Sequence, residues 1–96
     1  MSLSDQELNI VANIMKNFPQ TLLFGSRIKG TSKQFSDLDL CIKDRITDYD
    51  YELLKEAFEE SDLPFFVDLV DYNKLDESFK KIIDSQAIPL FELIKR

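Results

Sequence analysis

The sequence predicts an α/β fold, in which a small mixed sheet of three to five strands has helices packed on one face. Three short apolar segments have the length and alternation of strands, at residues 20–24, 37–43 and 65–70. Three longer segments repeat apolar residues every three or four positions, as amphipathic helices do, at residues 4–17, 47–61 and 75–86. Because 96 residues leave little room for a second core, we expect a single domain over residues 1–96.

Each predicted helix has an apolar face of its own. Ser4 and Glu7 have the spacing of a capping box, which opens the first helix. The apolar stripe of this helix consists of Leu8, Val11, Ile14, Met15 and Phe18. The residues expected to face inward are Tyr51, Leu54, Ala57 and Phe58 in the second helix and Leu75, Phe79, Ile82 and Ile83 in the third. The acidic residues of the second helix are expected to form its solvated face.

Alternation along the second and third strands divides their side chains between a core face and an open face. Asp37 and Asp39 are two residues apart, so both carboxylates project from the open face. The residues expected on the core face are Leu38, Leu40 and Ile42 of the second strand and Phe65, Val67 and Leu69 of the third. Phe66, Asp68 and Val70 then share the open face with the two aspartates. A short edge strand at residues 88–91 is also expected, since Pro89 is tolerated at an edge.

Two carboxylates on one open strand face create an electrostatic problem. Unit charges about 4 Å apart repel by roughly 4 kcal/mol at an effective dielectric constant near 20. A divalent cation removes that repulsion, and a set of oxygen ligands favours a hard ion such as Mg²⁺. Asp68 is the natural third ligand because alternation places it on the face of Asp37 and Asp39. Asp71 competes for this role, but its parity is wrong, and a turn residue at the end of a strand explains it.

Gly25 and Ser26 follow the first strand and can supply backbone N–H groups to a phosphate, together with a helical turn at residues 26–32. Ser26 also suits a helix N-cap, and the two roles are compatible. Arg27 and Lys29 are candidates for phosphate contact, although simple surface charges explain them equally well. A metal site beside a phosphate cradle is typical of phosphoryl or nucleotidyl transfer.

Individual residues exclude other kinds of site. Thr31 stands where a Walker A loop needs its lysine, and Ile42 stands where an EF-hand loop beginning at Asp37 needs glycine. The absence of histidine excludes histidine-based zinc sites and histidine general bases. Cys41 is the one cysteine, so it cannot form an internal disulfide, and we interpret it as a small residue beside the site.

The net charge of −6 is unevenly distributed along the chain. Residues 48–71 carry nine acids against Lys55, whereas residues 1–36 carry a net charge of +2. An acidic chain disfavours nucleic acid as a partner, while the positive segment before Asp37 suits a small anionic ligand such as a nucleotide. Since no apolar run is long enough to span a membrane and no signal-peptide pattern opens the chain, we expect a cytoplasmic protein.

The motif of Gly25-Ser26, ten further residues and then Asp37-x-Asp39 resembles the signature of the DNA polymerase beta nucleotidyltransferase superfamily. The short chain is similar to the minimal nucleotidyltransferases of that superfamily, many of which are antitoxins paired with HEPN-domain toxins. The resemblance implies a polymerase-beta-like core and ATP as substrate. It also implies two Mg²⁺ ions held by Asp37 and Asp39, with Asp68 as the third catalytic acid and Gly25 and Ser26 on the phosphates.

The resemblance implies transfer of AMP from ATP to a hydroxyl group. Larger superfamily members hold their acceptors with a second domain, so this sequence favours a hydroxyl of a partner protein, such as a HEPN-type toxin. The alternative is a non-catalytic antitoxin or accessory module that neutralises its partner by contact, with the acidic helix at residues 47–61 as a charged surface. The sequence leaves open the acceptor, the base preference, the partner and whether the protein forms a homo-oligomer.

Overall fold

The computed structural model describes residues 3–25 and 37–94. The helices and strands in chain order are α1 (Asp5–Ile14), β1 (Thr21–Phe24), β2 (Leu38–Ile42), α2 (Asp48–Glu59), β3 (Val67–Asp71), α3 (Glu77–Gln86) and β4 (Ile88–Pro89). Two short 3₁₀ turns, Tyr72–Lys74 and Leu90–Glu92, follow β3 and β4. The predicted mixed α/β architecture is confirmed, whereas the predicted helical turn at residues 26–32 lies outside the described residues.

The four strands form one sheet in the order β3-β2-β1-β4. β1 pairs antiparallel with β2 and with β4, and β2 pairs parallel with β3. The parallel pair is possible because α2 lies between β2 and β3 in the chain and provides the long connection that parallel neighbours need. β4 is a two-residue edge strand containing Pro89, as the sequence predicted.

One face of the sheet packs on α1 and α2 and forms the main core. The buried residues of this cluster are Leu8, Val11, Met15, Leu23, Leu38, Leu40, Ile42, Leu54, Phe58, Leu69 and Leu90. They include Leu8, Val11 and Met15 of the predicted stripe of the first helix, whereas its other two members, Ile14 and Phe18, pack against the cluster and are only partly buried. The predicted core positions of β2 are 0–1% exposed. Burying such aliphatic side chains contributes about 1.5–3 kcal/mol each, so this face supplies most of the driving force for folding.

The third helix covers part of the opposite face. The rings of Phe24 and Phe79 meet edge to face, with their centroids 6.1 Å apart. Phe24 pairs with Asp39 in the antiparallel register, so its side chain lies on the face away from Leu23 and the main core. The expectation of helices on one face therefore holds for α1 and α2, and α3 adds a partial second layer.

Some predicted helix contacts are wrong. Ile83 is buried at 1% exposure, but Ile82 is 48% exposed and Phe79 is 38% exposed. Ala57 of α2 is also exposed. Helices α2 and α3 lie at the surface of a small molecule, so each buries a narrower stripe than its apolar periodicity indicates.

The element ends are fixed by side-chain caps. Ser4 and Glu7 form the predicted capping box at α1, and Thr47 accepts the backbone N–H of Asp50 at α2. α3 begins at Glu77 because Asp76 caps it. Within residues 3–25 and 37–94, no helix is both long enough and apolar enough to cross a membrane.

Candidate active site

Strand register places the predicted carboxylates beside one another. Asp39 of β2 pairs with Asp68 of β3, and Leu40 pairs with Leu69. Neighbouring strands lie about 4.8 Å apart, and paired residues share a face, so the two carboxylates project side by side from the face opposite the core. Asp37 precedes Asp39 by two residues and stands just before β2, where it is exposed. The structure thus brings Asp39 and Asp68 together as the sequence predicted.

Gly25 connects the end of β1 to this pair of strands. Its φ angle of +88° lies in the left-handed region that favours glycine. A Cβ atom at this position would overlap Oδ2 of Asp39 and stand 3.0 Å from its Cγ. Only glycine therefore lets the backbone after β1 pass against the Asp39 carboxylate. The sequence predicted a phosphate contact for Gly25, whereas its contact with Asp39 emerges from the structure.

The electrostatics of Asp39 reflect its position at the centre of the acids. Burial raises the pKa of Asp39, and the charges of Asp68 and Asp37 raise it further. The carboxylate that is most enclosed is therefore also the one that its neighbours make hardest to ionise. A cation, or a proton, bound between the acids would relieve this repulsion.

The same acids provide the donors that a divalent cation would use. Within the described ranges, no group of three acidic or cysteine side chains already stands in an arrangement that could hold a metal ion. The donor type nevertheless fits Mg²⁺, which takes carboxylate oxygens and keeps several water ligands. Asp37 and Asp68 are exposed, so their rotamers can change with little loss of packing. The carboxylates thus fit a hard cation in chemistry and in strand position.

Asp71 and Cys41, the two other polar candidates near the strands, have structural roles. Asp71 accepts the backbone N–H of Asn73 and caps the turn Tyr72–Lys74, as expected for a residue that ends a strand. Cys41 is fully buried, and burial, followed by the charge of Asp71, raises the pKa of its thiol to about 11. A thiol with so high a pKa is a poor nucleophile, which supports a packing role.

Ser26, Arg27 and Lys29, the remaining predicted phosphate contacts, lie outside the described residues. The structure also shows an exposed aromatic side chain, Phe66, which the sequence analysis placed on the open face without assigning it a role. Phe66 is 80% exposed and stands two residues before Asp68. It borders a surface cavity of about 600 Å³ whose lining residues include Lys55, Phe58, Pro64 and Phe66. Because Lys55 and Phe58 belong to α2, this cavity lies beside that helix, and the exposed ring of Phe66 at its edge is a candidate contact for a partner.

Comparison with known proteins identifies the family. The family described as "Polymerase beta, Nucleotidyltransferase" matches residues 6–95, nearly the whole chain. The chain belongs to this nucleotidyltransferase family. The predicted superfamily and enzyme class are therefore confirmed, and in this nucleotidyltransferase Asp39 and Asp68 lie on neighbouring strands while Gly25 directly follows β1.

Matches to individual proteins are consistent with membership of this family. The chain is 42% identical over 88 residues to "Probable protein adenylyltransferase MntA" of Haemophilus influenzae, covering 86% of this chain and 77% of the relative. A crystal structure of a toxin-antitoxin with AMP-PNP superposes with a TM-score of 0.69 at 25% identity, covering 86% of this chain and 71% of that one. A mutant of the toxin-antitoxin MntA-HpeT has a TM-score of 0.61 at 20% identity over 86% and 70% of the two chains, which shows a shared fold.

Proposed function

We propose that this nucleotidyltransferase moves an adenylyl group from ATP to a hydroxyl of a partner protein, and that the partner is a toxin of the HEPN class. The observation that carries the proposal is the pairing of Asp39 with Asp68, together with the Gly25 backbone against the Asp39 carboxylate. The nature of the acceptor is supported by the relative named as a protein adenylyltransferase. A toxin as partner and ATP as donor are supported by the toxin-antitoxin relative with AMP-PNP.

In the proposed reaction, the acceptor hydroxyl oxygen bonds to the α-phosphorus of ATP, the bond from that phosphorus to the bridging oxygen breaks, and pyrophosphate leaves. Asp68 is exposed and can accept the proton of the attacking hydroxyl. Asp37, Asp39 and Asp68 would hold Mg²⁺, two ions in all, which would neutralise charge on the attacking and leaving oxygens. Gly25 leaves the space that the Asp39 carboxylate occupies, and the backbone of Gly25 together with Ser26, Arg27 and Lys29 are the proposed phosphate contacts.

Phe66 marks the acceptor side of the site in this proposal. It directly precedes β3, where its backbone carbonyl accepts the N–H of Leu38, and it stands two residues before Asp68. A protein segment that brings its hydroxyl to Asp68 would therefore pass over the exposed ring. Covering an aromatic side chain at a docking surface contributes strongly to affinity. Phe66→Ala should therefore weaken transfer to the protein acceptor while leaving ATP binding unchanged, which can be measured by the KM for the acceptor and the Kd for ATP.

The decisive experiment is label transfer. The protein is incubated with Mg²⁺ and either α-labelled or γ-labelled ATP in a lysate of its source organism. We expect a protein band labelled only by α-labelled ATP, because nucleotidyl transfer retains the α-phosphorus and releases the γ-phosphorus as pyrophosphate. Label from γ-labelled ATP would show phosphoryl transfer and overturn the proposal.

Two variants that remove one negative charge each provide the comparison. Asp39→Asn should abolish the labelled band, whereas Asp71→Asn should keep it, since Asp71 caps a turn outside the acid pair. Label in RNA or a small molecule would retain the enzyme class and refute the protein acceptor. A toxin neutralised as well by Asp39→Asn as by the native protein would instead favour the contact antitoxin.

A further inference from the structure

The outer face of α2 carries apolar side chains that the described fold leaves in water. Leu54 and Phe58 of this helix enter the core, yet Tyr49 is 73% exposed and Leu53 is 45% exposed. Tyr49 and Leu53 are four residues apart, so they stand one above the other on a side of the helix that the core does not cover. Ala57, the next residue in this row, is also exposed. These three residues, Tyr49, Leu53 and Ala57, form an apolar row on the outer surface.

Acidic side chains line this row. Glu52, Glu56 and Glu60 are exposed and follow one another at intervals of four residues next to the row. The helix itself, Asp48–Glu59, contains five acids and a single base, Lys55. Lys55 lies over the ring of Tyr51, 5.9 Å from its centroid, and is three residues from Glu52, whereas neither Glu56 nor Glu60 has a base of α2 three or four residues away. The apolar row is therefore bordered on one side by glutamates, of which Glu56 and Glu60 have no neighbouring base on α2.

We propose that the outer face of α2 is a docking surface for a helix of another protein that carries an apolar row bordered by Lys or Arg. An exposed row at positions i, i+4 and i+8 fits the groove between equivalent rows of a second helix. Basic side chains on that helix would meet Glu52, Glu56 and Glu60. A second copy of this chain is disfavoured as the occupant, because two such faces would bring two rows of glutamates together.

This surface lies on the side of the sheet opposite the candidate active site. α2 packs on the core face through Leu54 and Phe58, whereas Asp39 and Asp68 project from the other face. A partner held on α2 therefore leaves the carboxylates accessible. Binding through α2 does not require the proposed adenylyl transfer, so the two proposals can fail independently.

A peptide titration tests the proposal without ATP or metal. The probe is a fluorescein-labelled synthetic helix with a leucine row bordered by arginines, and its counterpart has glutamates in place of the arginines. Fluorescence anisotropy with the full chain should show binding of the arginine peptide and none of the glutamate peptide. Equal binding of both peptides, or of neither, would overturn the proposal.

Three variants locate the bound peptide. Leu53→Ser and Tyr49→Ser should each weaken binding about tenfold, the effect of removing one well-covered apolar side chain. Ile82→Ser is the matched control, because Ile82 is 48% exposed on α3, close to the 45% of Leu53, and lies outside the proposed surface. The affinity of the Ile82→Ser variant for the arginine peptide should equal that of the native protein. Circular dichroism of each variant checks that the helices are retained.

Two results from these variants would reject the surface. Equal weakening by Ile82→Ser and Leu53→Ser would show that the peptide binds elsewhere or without specificity. A native dimer in sedimentation velocity that Leu53→Ser converts to a monomer would show that the occupant is a second copy. If Glu52→Gln with Glu56→Gln lowers affinity about tenfold and reduces its dependence on salt, the basic character of the partner is supported.

Discussion

The two faces of the β2–β3 strand pair have different roles although the same two strands form both. On the core face, Leu38, Leu40 and Leu69 are at most 7% exposed and pack beneath α1 and α2. On the other face, Asp39 and Asp68 are paired and repel each other. The buried leucines lie directly next to the aspartates in sequence, so the free energy of apolar burial holds the carboxylates in register. Stability and chemistry are therefore separated by alternation along one strand, and substitutions at neighbouring positions should separate them experimentally.

The largest effect on stability is expected on the core face. Leu40 is fully buried in the main cluster, one residue after Asp39. Leu40→Ala removes apolar area and leaves a cavity, which costs about 2–5 kcal/mol of the free energy of unfolding. Urea denaturation followed by circular dichroism measures this loss. A loss below about 1 kcal/mol would mean that this face does not hold the sheet together.

The next largest effect on stability is expected at Gly25, which follows β1 and lies against the Asp39 carboxylate. Gly25→Ala places a side chain in the left-handed region and against the Asp39 carboxylate. We expect a loss of about 1–3 kcal/mol in the free energy of unfolding from the backbone strain, with a further loss from the clash.

A double-mutant cycle separates the strain at Gly25 from the clash. In an Asp39→Ala background the carboxylate is absent, so Gly25→Ala should cost less there than in the native protein. The two costs are compared by urea denaturation. Equal costs in the two backgrounds would show that the Asp39 carboxylate does not limit the residue at position 25.

The alternation that separates the two faces was predictable from the sequence, because it depends on local spacing. Asp37 and Asp39 are separated by Leu38, and Asp68 lies between Val67 and Leu69, so parity alone assigned them to one face. The role of Asp71 as a strand-ending turn residue followed from the same parity, and the structure confirms it.

Features that depend on contacts between distant segments were beyond sequence reasoning. The approach of Gly25 to Asp39 joins two strands whose pairing no local pattern specifies. The face that α3 covers is another such feature. Phe79, Ile82 and Ile83 form one apolar stripe in the sequence, but the sheet buries only Ile83 fully and leaves Ile82 in water. Periodicity shows that a helix has an apolar side, but the number of its apolar residues that become buried depends on the surface against which the helix packs.

A smaller effect is expected at the contact between α2 and the strand of Asp68. The hydroxyl of Tyr51 donates a hydrogen bond of 2.5 Å to the backbone carbonyl of Leu69. Tyr51→Phe removes the donor and keeps the ring, so the expected loss is about 1 kcal/mol in urea denaturation. Tyr49→Phe is the matched control, because Tyr49 is 73% exposed and this change should leave stability unaltered. Equal effects of the two substitutions would refute a stabilising role for the Leu69 contact.

The smallest effect on stability, with the largest on activity, is expected at Asp39. Its folded-state pKa is raised above the ordinary 3.8 by burial and by Asp68 and Asp37, so the folded protein holds this proton more tightly than the unfolded chain. The resulting stabilisation is fully present below pH 3.8 and is lost as the pH rises through the raised folded value. At neutral pH the charged carboxylate therefore opposes folding, and Asp39→Asn should be at least as stable as the native protein.

Measurements of stability and activity at several pH values test whether the Asp39 carboxylate lowers stability while supporting activity. The advantage of Asp39→Asn in urea denaturation should grow from acidic to neutral pH, while the proposed adenylyl transfer falls about 10³-fold, equivalent to ~4 kcal/mol of transition-state stabilisation. Mg²⁺ should raise the Tm of the native protein more than that of Asp39→Asn, because the bound ion relieves the repulsion that the substitution has already removed. A variant that loses stability at neutral pH would contradict this account, since Asp39 would then hold the fold together instead of being held in place by it.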